Sequence, residues 1–187
     1  FTKFPYLRKV WQGNTEEERL LGVSLTGIYD NPLLTTQGSE LNDLLATLRE
    51  EARKANEEFA GLLGIPTSAA ITCVKPSGTV SQLVDSASGI HPRHSKYYIR
   101  RVRGDKKDPL TQFLIAQGIP NEACVYKPDQ TVVFSFPQKA PAGITRSDVT
   151  PISHLELWLT YQRHWCEHKP SVTISVEEKD WPAVGAW

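Results

Sequence analysis

The chain has no methionine in 187 residues. Its three cysteines are an odd number without metal-ligand spacing, which argues against a disulfide framework. Such cysteine usage fits a reducing compartment, so the expected location is cytoplasmic. Net charge is also missing. The 21 Lys and Arg offset 21 Asp and Glu, so neither nucleic acid nor a membrane surface is an expected partner. No apolar run approaches the ~18 residues of a membrane-spanning helix, and no signal peptide is visible. No internal repeat occurs. Gly-x-x-x-x-Gly-Lys-Ser/Thr, the three-glycine dinucleotide fingerprint and Gly-x-Ser-x-Gly are all absent. That removes the P-loop, the dinucleotide fold and the serine-hydrolase elbow. Phe1 stands where an initiator Met would, and the chain ends on the apolar Ala183 to Trp187. The expectation is an internal fragment, truncated at both ends.

What remains is enough for one domain with a real core. Leu41, Leu44, Leu45, Leu48, Ala52, Ala55, Phe59 and Leu62 recur at helical spacing and predict a long helix from about Ser39 to about Leu62. Leu21–Leu25, Ala69–Val74, Tyr97–Arg103, Thr131–Phe136 and Ser171–Val176 read as strands. Pro109 opens a short helix to Ala116. Thr150 and Pro151 read as the cap and first residue of a helix to about Cys166, with Leu155, Trp158, Leu159, Gln162 and Trp165 on one face. Strands alternating with helices predict an α/β domain with a mainly parallel sheet.

The stretch richest in chemistry is Lys75-Pro76-Ser77-Gly78-Thr79-Val80-Ser81, which follows a strand and precedes the helical start Gln82 to Asp85. A turn of this kind aims backbone N–H groups at one point, and a helix start adds unpaired N–H groups and a partial positive charge. Such a place suits a phosphate. Gly78 gives the backbone room to approach a ligand, and Ser77, Thr79 and Ser81 offer hydroxyls. The same residues also make an ordinary capped turn. Ser77 is not read as a nucleophile, because no base and orienting group accompany it.

The longer string Lys75 to His91 resembles the substrate-phosphate loop of ribonucleotide reductase large subunits. It is most similar to the adenosylcobalamin-dependent, triphosphate-reducing branch, which carries Lys-Pro-Ser-Gly-Thr followed by Ser-x-Gly-(Ile/Met)-His. The iron-dependent enzymes have Pro-Ser-Glu-Thr-Ser there, and Gly78 departs from that. Leu20 to Gly27 resembles a family strand, and Arg163 to Ile174 resembles its late helix-to-strand junction. The resemblance implies that residues 1–187 are part of the second half of a ten-stranded α/β barrel. It implies an enzyme that reduces ribonucleoside triphosphates to deoxyribonucleotides by thiyl-radical chemistry begun with adenosylcobalamin. A thioredoxin-like reductant and an allosteric deoxynucleotide would be further partners. Ser77, Gly78, Thr79, Val80 and Ser81 match the loop that holds the substrate phosphates. The family's Asn-x-Cys-x-Glu motif and its C-terminal cysteine pair do not occur here, so no catalytic residue is expected in this segment. Two other functions stay open: a non-enzymatic nucleotide- or anion-binding α/β module, and another radical enzyme of the same barrel type.

Smaller constellations have double readings. His164, Cys166 and His168 form either a weak metal set or a polar helix end, and no metal site is assigned. His91-Pro92-Arg93-His94 is either a polar pocket wall or an exposed loop. Arg101 and Arg103 share a strand face, meeting either phosphates or, as the expectation here, solvent and salt-bridge partners. Cys73 is expected as a small buried hydrophobe, Cys124 as a loop thiol with no base nearby, and Cys166 as the most reactive of the three.

Overall fold

The computed structural model describes residues 3–141 and 143–187. Phe1, Thr2 and Ala142 lie outside them, which touches the N-terminal stretch and the loop expected over 138–149. The chain forms two compact units, one from residues 1–93 with 143–187 and one from residues 94–142.

The larger unit is built on two parallel strands and two helices. Strand β1 (Val23–Ser24) pairs with β2 (Thr72–Cys73), Val23 opposite Thr72. The ladder is longer than its named strands, since Leu21 N–H reaches Ala70 O and Leu25 N–H reaches Cys73 O. Helix α1 (Lys9–Glu18) precedes β1, and the one-turn α2 (Pro32–Thr35) follows it. The long helix α3 spans Ser39–Leu63, within a residue of expectation. Helix α6 spans Pro151–His164, with Thr150 Oγ1 accepting from Ser153 N–H as its cap. The core joins Leu41 and Leu45 of α3 to Leu157 and Tyr161 of α6, with Ile28, Val74, Ile90 and Trp165 between them.

Three expectations are corrected here. Phe59 and Leu62 are 59% and 74% exposed, because α3 buries its stripe only near its N-terminal half and, further on, at Ala60. The buried face of α6 is His154, Leu157 and Tyr161, continued by Trp165, while Leu155, Trp158, Leu159 and Gln162 are half-buried. Segment 171–176 is extended but forms no strand. Ser171 N–H bonds Val74 O, yet Thr173 N–H goes to the His91 ring, so no continuous ladder forms.

The smaller unit holds β3 (Tyr97–Asp105), helix α5 (Pro109–Ala116), β4 (Asn121–Ala123) and β5 (Thr131–Lys139). The sheet order is β3-β5-β4, and both pairings are antiparallel. The expected mainly parallel sheet is therefore wrong for this unit. Alternation of strand and helix does not fix strand direction. Here the nine-residue register from Tyr97↔Lys139 to Asp105↔Thr131 settles it. Arg101 forms a salt bridge with Glu122, and Asp108 caps α5 by accepting from Leu110 N–H.

Glu167 ties the parallel pair to the end of α6. Its carboxylate accepts from Ile71 N–H at 2.7 Å and from Arg53 Nε at 2.6 Å. Burial pushes its pKa up, but Arg53 and the N–H groups of Ile71 and Thr72 outweigh that and hold it below the usual value of 4.5. A carboxyl lowered by folding stabilises above its unfolded pKa and loses that contribution as pH falls through its folded value. The thermal midpoint of the chain is therefore expected to fall between about pH 5 and about pH 3. Glu167→Gln should flatten that part of the profile and cost about 1–3 kcal/mol at neutral pH. Unfolding curves measured across this range check it, and parallel profiles for the two proteins would refute it.

Candidate functional site

After β2 the backbone leaves the sheet at Lys75 and re-enters the core at Ile90. Between them lies a single helical turn, α4 (Val80–Leu83). It lies two residues before the helical start expected over Gln82 to Asp85 and goes no further than one turn. A one-turn helix carries little dipole, so any anion affinity here comes from individual donors rather than from a macrodipole. Gly78, Thr79 and Val80 are exposed on the outer side of the turn. Ser77 is half-buried beside them. Ser81 is fully buried and its hydroxyl donates to Ser77 O. The five residues thus form one shelf, four of them facing outward or beside the outer face and Ser81 supporting from beneath.

The shelf is held from both sides by hydroxyls and an ion-pair cluster. Ser24 Oγ accepts from Lys75 N–H at 3.0 Å, and Ser88 Oγ accepts from Ser77 N–H at 2.9 Å. Thr26 Oγ1 lies 2.7 Å from Ser77 Oγ and accepts from Gly89 N–H at 2.9 Å. Arg93, 5% exposed, donates to both carboxylate oxygens of Asp30 and to Asp85 Oδ1 at 2.9 Å. Burial alone would lower its pKa, but the bonds to Asp30 and Asp85 keep it higher than usual. Asp30 Oδ2 also accepts from Ala87 N–H at 2.6 Å. Asp85 has φ 47°, a left-handed conformation that Asp tolerates and that Arg93 holds in place.

The glycine that the turn requires is not Gly78. A Cβ on Gly78 would meet nothing within 4 Å, and its φ is not positive. Gly89 has φ 57°, and a Cβ there would stand 2.8 Å from Lys75 O. It is the crossing of Gly89 over Lys75 that closes the loop.

His91 is half-buried beside this crossing. Its Nε2 accepts from Thr173 N–H at 2.9 Å, so Nδ1 carries the proton and donates to Ser88 O at 2.8 Å. It lines a cavity of about 170 Å³ together with Arg146, Thr150 and His154. His154 donates from Nε2 to Ile90 O, and burial, ahead of its neighbours, lowers its pKa. His94 is exposed.

No family model matches the chain. It is 33% identical over 172 residues to the adenosylcobalamin-dependent ribonucleoside-triphosphate reductase of Euglena gracilis, covering 89% of this chain and 23% of that protein. It is 31% identical over 194 residues to the reductase of the same description from Levilactobacillus brevis, covering 88% and 26%. A crystal structure of a B12-dependent (class II) ribonucleotide reductase superposes with a TM-score of 0.79 at 25% identity, covering 95% of this chain and 29% of that one. By sequence and by fold, the chain is related to a segment of the class II ribonucleotide reductases. It spans about a quarter of the length of the curated relatives it matches. These matches favour neither the non-enzymatic module nor a different radical enzyme.

The described residues contain no group of three His, Cys, Asp or Glu able to hold a metal ion. His168 Nε2 is 2.9 Å from Leu21 O. No described helix is long and apolar enough to cross a membrane. Cys166 is not the reactive thiol expected, and all three cysteines are buried, Cys124 included. Cys166 is buried, and burial pushes its thiol up to about 12. Cys124 is held below its usual value by the N–H groups of Lys127 and Tyr126 and, less strongly, by Arg103. The sequence around Cys166 held two histidines and looked electropositive, but the helix end turns its sulfur into the core. Thr26 and Asp30 were not recognised as parts of the site, and Arg93 was read only as part of a pocket wall or an exposed loop. Their signals were present in the Ser24-Leu25-Thr26-Gly27 strand, the Asp30-Asn31-Pro32 turn and the His91–His94 stretch, but none names its distant partner. A thiol reagent at limiting concentration is expected to modify Cys124 before Cys73 or Cys166, as read by peptide mapping. Modification of Cys166 first would contradict the opposite shifts of the two thiols, since burial alone does not separate them.

Proposed function

We propose that the protein of which this chain is a segment reduces ribonucleoside triphosphates to 2′-deoxyribonucleotides. We further propose that Ser77, Gly78, Thr79 and Val80, supported by Ser81, hold the substrate phosphates. The observation that supports this most is the outward-facing 77–80 shelf. It matches the family's phosphate loop and is fixed by Thr26, Ser88 and the Arg93 cluster rather than left to move. When bound, adenosylcobalamin supplies the radical that starts the reduction. The part proposed for the residues of this segment is to bind and orient the substrate. The N–H groups of Thr79 and Val80 lie at the exposed start of the α4 turn, while those of Ser81 and Gln82 are taken by Ser77 O and Thr79 O. The Ser77 and Thr79 hydroxyls add donors at the same edge. Lys75, at the root of the loop, adds a cationic side chain, with its Nζ 3.4 Å from Ser171 Oγ. Charge-assisted bonds of this kind fix the phosphate tail, and the ribose is thereby set at a constant distance from the reacting groups. A thioredoxin-like reductant, an allosteric deoxynucleotide and a cytoplasmic location belong to the same proposal.

Two outcomes test this reading. Gly78→Asp places a carboxylate on the open side of the shelf without a steric clash, and so repels phosphate. In the full-length enzyme it should raise the substrate KM roughly ten- to hundredfold, the equivalent of about 1.5–3 kcal/mol. Gly78→Ala should leave KM near its starting value. An unchanged KM in Gly78→Asp would remove the loop from the substrate site. The full-length enzyme is also expected to require adenosylcobalamin and no second, radical-generating subunit. Turnover that depends on an iron protein and not on cobalamin would overturn the assignment to this branch.

A further inference from the structure

The cavity of about 170 Å³ behind His91 is left unused by the proposed function. It lies within the larger unit, at the N-terminal end of α6, and the extended segment 171–176 forms another of its walls. No Asp or Glu lines it. Arg146 does, from an exposed position, and its guanidinium forms no ion pair among the described residues. The carboxylate closest to it in sequence, Asp148, is turned back to the N–H and hydroxyl of Thr145. Thr173 and Ser175 line the cavity two positions apart on the extended segment, so both hydroxyls lie on one side of it.

His154 is the buried member of the lining, 4% exposed. Its Nε2–H is committed to Ile90 O at 2.8 Å, so the neutral ring carries a bare lone pair at Nδ1. Tyr29 and His91 meet the ring edge-on, at 5.5 and 6.3 Å between centroids. Both nitrogens of His91 are taken, by Ser88 O and by Thr173 N–H. Nothing in the fold bonds Nδ1, yet it is not sealed in the core. Among the described residues, the one buried side-chain N or O atom without a partner is Arg49 Nε. Nδ1 therefore opens on the cavity that His154 lines.

A free cation and a bare lone pair select different parts of a ligand. Arg146 and the positive end of the α6 dipole attract negative oxygen. The Nδ1 lone pair repels it unless a proton lies between. Burial, ahead of the bond to Ile90 O, lowers the His154 pKa, so that proton has to come with the ligand. Hydrogen phosphate carries both parts, whereas sulfate at neutral pH has no proton to give. We propose that this cavity is a subsite for a hydrogen-phosphate group, with Arg146 holding its charged oxygens and His154 Nδ1 accepting its P–O–H. The group is either a free phosphate or the end of a nucleotide tail. The subsite does not rest on the assignment of residues 77–81.

The test uses the full-length enzyme with Gly78→Asp, in which the shelf carries a repelling carboxylate. Inorganic phosphate and sulfate are the probes, titrated by calorimetry at neutral pH. Phosphate is expected to bind at least about tenfold more tightly than sulfate, the worth of one bond to a charged group. Arg146→Gln should weaken phosphate about tenfold or more, and Ser175→Ala about two- to tenfold. His154→Phe should bring phosphate down to the level of sulfate. Arg146 and Ser175 are exposed, so their variants and the phosphate-to-sulfate ratio decide the matter should His154→Phe fail to fold. With phosphate binding lost in Arg146→Gln, the source of the group is read from the enzyme with Gly78 intact. A raised KM for the ribonucleoside triphosphate identifies the end of the substrate's tail, and an unchanged KM identifies a separate phosphate; both support the subsite. Equal affinity for phosphate and sulfate, phosphate binding untouched by Arg146→Gln, or a folded His154→Phe that keeps the preference would each overturn it. None of these results bears on the shelf, which the KM of Gly78→Asp tests by itself.

Discussion

A guanidinium buried to 5% exposure has to be paired where it lies, and Arg93 shapes the loop region through that requirement. Removing an ion this far from water costs several kcal/mol unless its donors are satisfied. Asp30 comes from the segment after β1, and Asp85 from the end of the α4 turn. Their convergence on one cation brings these two stretches together, 55 positions apart by their numbers. Asp30 then has a spare acceptor for Ala87 N–H, and Asp85 is held at φ 47°. The path from Ser77 to Ile90 follows from these fixed points.

With the base of the loop pinned, its upper side is left to small polar groups. Ser24, Thr26 and Ser88 each contribute a hydroxyl to the backbone or side chain of the loop. Hydroxyls are suited to this, because each is donor and acceptor at once and rotates at little cost. A carboxylate in their place would fix charge against any phosphate. An amide would demand more space than the crossing of Gly89 over Lys75 leaves. The Gly89 crossing and the hydroxyl supports are one solution: the backbone comes close enough that only short side chains fit between its strands.

How much of this was legible beforehand depended on whether the signal was local. Helix α3 was readable within a residue because its apolar repeat and flanking glycines lie in one continuous stretch. Helices α5 and α6 were readable because Asp108-Pro109 and Thr150-Pro151 are cap and first turn in adjacent positions. Strand direction in the smaller unit was not readable, since β3 and β5 are 25 residues apart and nothing in either states its orientation. Neither was the role of glycine. Gly78 lies in the conspicuous motif, while Gly89, which needs the positive φ, owes its importance to Lys75, 14 positions away. Cys166 shows the same limit. Its sequence neighbours are histidines, but its spatial neighbours are the apolar core around Tyr161 and Trp165. Periodicity and caps are properties of a segment; partners, burial and pairing direction belong to the folded chain.

The charge balance around the shelf bears on the phosphate recognition proposed for it. Lys75 and Arg93 contribute two positive charges, and Asp30 and Asp85 two negative ones. Arg93 is already paired with both acids. No large positive field remains to attract a polyphosphate at a distance. Attraction must come from N–H and O–H donors at hydrogen-bond range, where strength falls steeply with misalignment. A site of this type discriminates by geometry more than by charge, since a phosphate out of register gains little from the weak local field. It also places a strict demand on the direction of every donor.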